Sequence, residues 1–363
     1  MANGAPFHIK GCNFVGTEGR AGPPLGLDKH PIAWYMRFLR THKFNAVRLL
    51  FNHQMILTGA MLDPPNLKWC AEHGVADCKW EAPELEGYAY LDMFAKLAEV
   101  AAQHGILVLM ACHRLKPDAW PGKGLWYDGE ITEASVLESW RRLAAALCGQ
   151  WNVFGVDLMN EPHAASWGKS MGTGSDWGHA AERIGNHVLR QCPRWMIFVE
   201  GIGYSPGAPG FDNSGMGIWW GENLAGARTQ PVQLSNPARL VYSPHTYGPG
   251  TFMQRYFNDR SFPSNLAAIW SSRFAFLTES SQAPVVIGEM GGWYTGKDQQ
   301  WQDWAVRFMK ERNIGIFYFV LQPTSDDTGG LLKADWASPE DDKLRLLDEL
   351  PSTDVVELMS ATG

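Results

Sequence analysis

The chain has 363 residues, of which 45% are hydrophobic and 19% charged, a balance typical of a globular protein with a large core. A formal net charge of −7, without any dense Lys/Arg run, argues against a nucleic-acid partner. No apolar run approaches the roughly 18–20 residues of a transmembrane helix, so we expect no membrane association.

Strand-like and helix-like segments alternate along the chain. ILVLMAC is an almost purely apolar run, as expected for a parallel strand covered on both faces. The strands are predicted at 7–14, 45–51, 106–112, 153–159, 195–200, 239–245, 284–289 and 315–321. The helices are predicted near 32–42, 90–105, 135–148, 178–191, 264–278, 299–312 and 341–349. Eight β-α units without a dividing linker predict an α/β fold, a single (β/α)8 TIM barrel domain spanning residues 1–363, with elaborated loops around an open substrate cleft.

The six cysteines show no CxxC spacing, so the sequence does not support zinc or thioredoxin-type chemistry. Cys70 and Cys78 bracket a loop-like segment and could form a local disulfide. Cys112 and Cys148 fall in apolar segments and are predicted to be buried thiols. No His/Asp/Glu cluster has a spacing typical of a metal site, and we expect none.

Polar side chains collect where the predicted strands end, and in (β/α)8 barrels this rim carries the chemistry. Such groups are costly beside an apolar strand unless they have a task. Glu161 and Glu289 are carboxylates that would face each other across the barrel mouth, the minimum required to hydrolyse a glycosidic bond. The remaining polar groups at the rim are Arg48, His113, Asn160, His245, Tyr247 and Gln322.

Several rim residues are suited to support the two carboxylates. Arg48 would keep Glu289 ionised and Tyr247 would donate a hydrogen bond to it, whereas His245 would lie near Glu161. Asn160 would bind a sugar 2-hydroxyl. Two more acidic residues are assigned secondary roles: Asp157 would face a structural partner, and Glu200 would hydrogen-bond near the site.

Seventeen tryptophans exceed what a core alone usually needs, so some are expected to form flat platforms for sugar rings. The loop at 201–237 is predicted to be ordered and aromatic. It carries Trp219 and Trp220, of which one is expected to pack inward. Trp126 and Trp167 on other rim loops are weaker candidates.

The chain resembles glycoside hydrolase family 5, and within it the bacterial-type endo-β-1,4-glucanases. The matching stretches are NAVRLLF, ACHR, GLWYDGEITEASV, GVDLMNEPH, AAERIGNHVL, IFVEG, WWGENLAGA, LVYSPHTYG and VVIGEMGG. The resemblance implies that Glu161 is the general acid/base and Glu289 the nucleophile of a retaining reaction that needs no metal and no cofactor. It implies a supporting set of Arg48, His113, Asn160, His245 and Tyr247.

The eighth strand departs from the family pattern. The family typically has Phe-Trp-Ser-Trp-Asn-Pro there, with its first Trp as a sugar platform, whereas this chain has YFVLQP with Phe319 at that position. The downstream TSDDTGGLL matches well. We therefore expect Phe319, Gln322 and Asp327 to bind substrate together with Trp219 and Trp220.

The sequence thus predicts a retaining endo-acting enzyme that cleaves β-1,4-glucosidic bonds in cellulose or related β-glucans. The alternatives are another β-glycan such as mannan or xyloglucan, transglycosylation, or a carbohydrate-binding protein without turnover. The expected partner is a β-glucan polysaccharide or oligosaccharide, and a monomer is expected. Secretion is expected because the polymer cannot enter a cell, although MANGAPFHIKG is not a signal peptide.

Overall fold

The computed structural model describes residues 6–62, 85, 87–168, 174–203, 217–280 and 283–360. Eight parallel strands form one sheet in the order β6-β5-β4-β3-β2-β1-β8-β7. The strands are β1 Lys10–Phe14, β2 Ala46–Asn52, β3 Leu107–Arg114, β4 Val153–Asp157, β5 Met196–Val199, β6 Leu240–Tyr242, β7 Val286–Met290 and β8 Gly315–Tyr318. Two parallel bridges, Tyr242 to Val285 and His245 to Glu289, join β6 to β7. The sheet closes on itself, and the predicted (β/α)8 barrel is confirmed.

The helices lie outside the strands, at α1 Ile32–Thr41, α2 His53–Thr58, α3 Tyr90–Gln103, α4 Glu133–Leu147, α5 Trp177–Gln191, α6 Leu266–Glu279, α7 Gly296–Glu311, α8 Asp341–Leu347 and α9 Val355–Ser360. The short α2 and α9 were not predicted. The predicted helix at 264–278 is interrupted, because Ser271–Ala275 forms a π-helical turn within α6. In the described part of the chain, no helix is both long and apolar enough to cross a membrane.

Alternation along β2 explains how a charged side chain enters the barrel. Ala46 and Leu50 pack inside the barrel, whereas Val47 and Leu49 pack against the surrounding helices. Arg48 shares the inward face with Ala46 and Leu50, and it is completely buried. The strand therefore places one guanidinium above a floor of apolar side chains.

Gly11 on β1 lets the apolar floor close. A Cβ at this position would lie 2.3 Å from the ring of Phe317, which fills the barrel interior beside Leu109 and Phe198. A larger residue at position 11 would displace that ring. The packing of the apolar layer beneath the polar site thus requires glycine at position 11.

The cysteines differ in part from the expectation. Cys148 is not a free thiol, because it is bonded to Cys192, 44 residues later. The bond joins the C-terminal ends of α4 and α5, at the end of the barrel opposite the strand C-termini. Cys112 is a buried free cysteine, as predicted. The expected pairing of Cys70 with Cys78 falls outside the described residues.

Removing the disulfide should lower stability without affecting the strand C-termini. Closing a loop of 44 residues restricts the unfolded chain, a contribution of roughly 2–4 kcal/mol. The Cys148→Ser/Cys192→Ser double variant should therefore unfold at lower denaturant concentration, with native activity at 25 °C. Cys112→Ser is the control for a buried cysteine without a partner, and equal denaturation midpoints for wild type and double variant would contradict the expectation.

Candidate active site

A cleft of about 1090 Å³ lies at the C-terminal ends of the strands. Most of the residues that the sequence assigned to the site line this cleft: His113, Glu161, Trp219, Trp220, Tyr247, Glu289, Phe319 and Asp327. Arg48, Asn160 and His245 are buried among the side chains of the same site. Gln322 does not line the cleft.

All five N–H donors of Arg48 have acceptors. Nε donates to Asp157 Oδ2 at 3.0 Å. Nη1 donates to Asn13 Oδ1 at 2.9 Å and to Glu289 Oε1 at 2.6 Å. Nη2 donates to Asn160 Oδ1 at 2.8 Å and to Glu200 Oε1 at 3.1 Å. Because a guanidinium is rigid and planar, these contacts fix side chains from β1, β4, β5 and β7 relative to one another.

Glu289 is held in the ionised form. Its Oε1 accepts from Arg48, and its Oε2 accepts from the Tyr247 hydroxyl at 2.6 Å. Burial alone would raise its pKa, but the charges of His245 and Arg48 and the Tyr247 hydrogen bond outweigh burial and lower the pKa to about 2. Glu289 is therefore a carboxylate at any ordinary pH.

The pKa of Glu161 shifts in the opposite direction. Burial is the largest influence on it and raises its pKa, against a partial counter-effect from His245. Its backbone is in the left-handed region, at φ 47°, which is unusual for a residue with a side chain. The N–H of Glu161 donates to Glu200 Oε2 at 2.7 Å, and this bond secures the strained turn.

His245 connects the acidic groups. Its Nδ1 lies 3.0 Å from Glu161 Oε1 and 3.5 Å from Glu289 Oε2, and its Nε2 lies 3.0 Å from Glu200 Oε1. Burial opposes protonation of the ring, but the surrounding carboxylates prevail and raise the pKa of His245 well above its usual value. A protonated imidazole thus sits between Glu161 and Glu289.

Among the described residues, two clusters have atoms close enough to share a metal ion: Asp157, Glu200 and His245, and Glu161, His245 and Glu289. Arg48 already donates to Asp157, Glu200 and Glu289 and supplies the positive charge. A protonated His245 has no lone pair for a metal. Burial and the neighbouring Glu200 raise the pKa of Asp157 well above its usual value, which further reduces the negative charge here.

Some buried polar atoms of the site have no hydrogen-bond partner among the described residues. Asn160 accepts from Arg48 through Oδ1, but its Nδ2 has no acceptor in the described part of the chain. His113 Nδ1 is likewise unpaired, and burial lowers the pKa of His113 to about 3, so that its ring is neutral. Buried polar atoms without partners are rare in proteins, and both are available to a bound molecule.

The arrangement agrees with the comparison with known proteins. The family described as cellulase (glycosyl hydrolase family 5) matches residues 1–325. The chain belongs to glycoside hydrolase family 5. An endoglucanase of Paenibacillus polymyxa is 33% identical over 94% of this chain and 83% of its own length. The major extracellular endoglucanase of Xanthomonas campestris pv. campestris is 36% identical over 97% of this chain and 69% of its own.

A solved structure extends the likeness to the fold. It is a cellotetraose complex of a glutamate-to-alanine variant of an endocellulase from Pyrococcus horikoshii. The two chains superpose with a TM-score of 0.85 at 33% identity, covering 95% of this family 5 chain and 93% of the other.

The aromatic residues of this family 5 site divide into cleft and core. Trp220 is 39% exposed in the cleft and stacks on His163, with ring centroids 3.9 Å apart. Trp219 also lines the cleft, but it turns inward to donate from Nε1 to Tyr256 Oη at 3.0 Å. Trp126 and Trp167, the weaker candidates, are buried core residues and offer no platform in the cleft.

Gln322 is a correction to the expected substrate-binding set. It is fully buried, and its Nε2 donates to the carbonyl oxygens of Val15 at 2.8 Å and Leu25 at 3.3 Å. Its amide thus holds the loop after β1 and does not face the cleft. Phe319 and Asp327 do line the cleft, as expected.

The sequence argument missed several residues of the cleft. Among them are Glu18, Arg114 and Trp120, which line the cleft without having been singled out. Glu200, which ends the fifth strand at the same rim as Glu161, was expected to hydrogen-bond near the site, and it contacts Arg48 and Glu161 there. Glu18 is four residues beyond β1 and gives a weaker signal of the same kind, whereas Trp120 lies in a segment without any motif.

Replacing Arg48 with methionine should strongly destabilise the protein. Three buried carboxyl groups would lose their cation, a cost of roughly 3–5 kcal/mol near neutral pH. The carboxylates of the variant should take up protons above their unfolded pKa values, so the destabilisation should grow as pH rises from 5 to 8. Urea unfolding at both pH values measures this.

Arg141→Met is the matched control, since Arg141 pairs with Glu138 on an exposed helix face. Its effect should be far smaller, because solvent screens exposed ion pairs. Equal destabilisation in the two variants would contradict the role assigned to Arg48.

Proposed function

We propose that this protein is a retaining endo-β-1,4-glucanase in which Glu289 is the nucleophile and Glu161 the general acid/base. The observation that carries the proposal is the contrast between the two carboxyl groups of the cleft. The environment lowers the pKa of Glu289 to about 2 and raises that of Glu161. One group is prepared to attack, and the other to donate a proton.

In the first step, an ionised oxygen of Glu289 attacks the anomeric carbon. The glycosidic C–O bond breaks, and its oxygen takes the proton of Glu161 and departs with the leaving sugar. In the second step, Glu161, now a carboxylate, removes a proton from water. The water oxygen attacks the anomeric carbon, which releases Glu289 and a sugar of retained configuration.

The spacing of the two groups supports retention. A carboxylate oxygen of Glu161 lies within 4.8 Å of one of Glu289. Retaining glycosidases hold their carboxyl groups about 5–5.5 Å apart, whereas inverting enzymes leave about 6.5–9.5 Å for a water molecule. The unpaired Nδ2 of Asn160 is suited to bind the sugar 2-hydroxyl, a contact that strengthens in the transition state.

The cleft suits a polymer of glucose. Aromatic rings of Trp220 and Phe319 can pack against sugar faces, and the relatives named above are endoglucanases. We infer that cellulose-like β-glucans are the substrate. β-Mannan and xyloglucan are the alternatives, because Phe319 offers less stacking area than tryptophan, and a panel of purified polysaccharides decides between them.

We infer that the enzyme acts outside the cell. The Cys148–Cys192 disulfide is of a kind that persists in oxidising surroundings. The Xanthomonas relative is named as extracellular. A polymeric substrate is consistent with secretion.

Glu289→Gln should lower kcat on carboxymethyl-cellulose by roughly a thousandfold or more, since an amide cannot act as the nucleophile. NMR of wild-type products should show the β-anomer first. Glu130→Gln, a carboxylate exposed outside the cleft, is the control. Full activity of Glu289→Gln would refute the assignment, and a first-formed α-anomer would refute retention.

Tyr247→Phe should shift the acidic limb of kcat/KM to higher pH. Loss of the hydroxyl donor removes an interaction that lowers the pKa of Glu289, so the carboxylate should gain its proton at a pH higher by roughly half a unit to one unit. The alkaline limb, assigned to Glu161, should move less. Tyr127→Phe is the control, and an unchanged acidic limb in Tyr247→Phe would contradict the prediction.

A further inference from the structure

We propose that Trp120, Arg114 and Glu18 form a glucosyl-binding subsite on the glycone side of the cleft. The proposal rests on the function proposed above and assigns a role to Trp120, which lies outside the stretches that match the family. Trp120 belongs to the segment LKPDAWPGK, which lies between the matching stretches ACHR and GLWYDGEITEASV.

Trp120 has the construction of a sugar platform. Its ring stacks on the neutral ring of His113, with centroids 4.6 Å apart and planes 23° from parallel. The side chain lines the cleft and remains 42% exposed. Trp220 has the same construction, because it stacks on His163 and is 39% exposed. Each tryptophan is supported from behind by a histidine and presents apolar surface to the cleft.

Polar groups for sugar hydroxyls lie beside Trp120. The guanidinium of Arg114 is 5.7 Å from the centre of the Trp120 ring, and its Nη2 is 3.8 Å from Glu18 Oε1. Arg114 Nε and His113 Nδ1 are buried without hydrogen-bond partners. The cluster thus offers donors and a carboxylate acceptor next to an aromatic face, and charged groups make the stronger hydrogen bonds to hydroxyls.

The cluster is held in place in the absence of a ligand. Glu18 Oε2 accepts from the Gly16 N–H at 2.7 Å, and the Glu18 carbonyl accepts from Asn52 Nδ2 at 3.0 Å. Arg114 Nη1 donates to the Pro117 carbonyl at 2.9 Å. An ion pair between Arg20 and Asp118 also ties the loop after β1 to the loop after β3. Because these side chains are already ordered, binding a sugar would cost little additional side-chain entropy, which favours binding.

The strand order assigns the cluster to the glycone side. Trp219, Trp220 and His163 follow β5 and β4 and lie on the side of Glu161, whose proton goes to the leaving sugar. Phe319 follows β8, the neighbour of β7 with Glu289, whereas Glu18 follows β1 and Trp120 follows β3. These three residues therefore lie on the side of the barrel that runs from β7 through β8, β1, β2 and β3 to β4, opposite β5 and β6. The glucosyl unit attacked by Glu289 and the units attached to it therefore extend toward Glu18 and Trp120. Trp120 adds aromatic surface on the side where Phe319 replaces a tryptophan.

The test uses p-nitrophenyl β-cellobioside and β-cellotrioside, whose aryl group occupies the leaving-group side. Trp120→Ala should lower kcat/KM for the cellotrioside by about fivefold or more, and Trp120→Phe by less, because it keeps an aromatic ring. Trp151→Ala is the matched control, because Trp151 is 43% exposed but does not line the cleft, and it should leave this value nearly unchanged. In the Glu289→Gln background, calorimetry with cellotetraose should show weaker binding by about fivefold or more on adding Trp120→Ala.

A smaller loss in Trp120→Ala, or an equal loss in Trp151→Ala, would overturn the subsite. Unchanged thermal unfolding of the variants shows that a loss does not come from misfolding, and the Trp120→Phe variant provides the comparison if the alanine variant is unstable. Full activity of Glu289→Gln would instead refute the proposed function, so the two failures are distinguishable.

Discussion

The site depends on one buried guanidinium. Arg48 projects into the barrel from β2. Its five N–H groups donate to oxygen atoms of five side chains, which belong to β1, β4 and β7 or follow β4 and β5. A charged group this deep is tolerated only when each donor is satisfied, and satisfying them requires closed barrel geometry around it. Fold and site are therefore coupled: the barrel brings the acceptors to Arg48, and Arg48 fixes where they stand.

The second constraint is that the pKa values of two carboxyl groups in one cleft shift in opposite directions. Glu289 faces Arg48 and Tyr247 and is ionised, whereas Glu161 has burial as its dominant influence. Glu200 contributes to both environments, because it accepts from Arg48 and from the backbone of Glu161. Gly221 leaves room for it, since a Cβ there would lie 2.7 Å from Glu200 Oε2. A residue fully removed from solvent thus helps to set the geometry of the two carboxyl groups in the cleft.

The fold and the position of the two carboxyl groups in the cleft could be predicted from sequence because both depend on local, repeated signals. Most strands are largely apolar runs, Glu289 lies near the end of β7, and Glu161 follows β4. Contacts that form only after the chain has folded gave no such signal. Cys148 meets Cys192 through the packing of two helices, and Gln322 turns away from the cleft because the backbone of the β1 loop offers it partners. Trp120 was missed because the stacking of its ring on His113 is seen only in the folded structure.

The left-handed backbone of Glu161 has an evolutionary implication. A side chain at φ 47° carries strain, and a buried carboxyl group adds a desolvation cost. A glycine at position 161 would remove both costs together with the proposed proton donor. Stability and activity thus favour different residues at this position, and a lineage released from selection for turnover would be expected to lose its acid here before its barrel weakened.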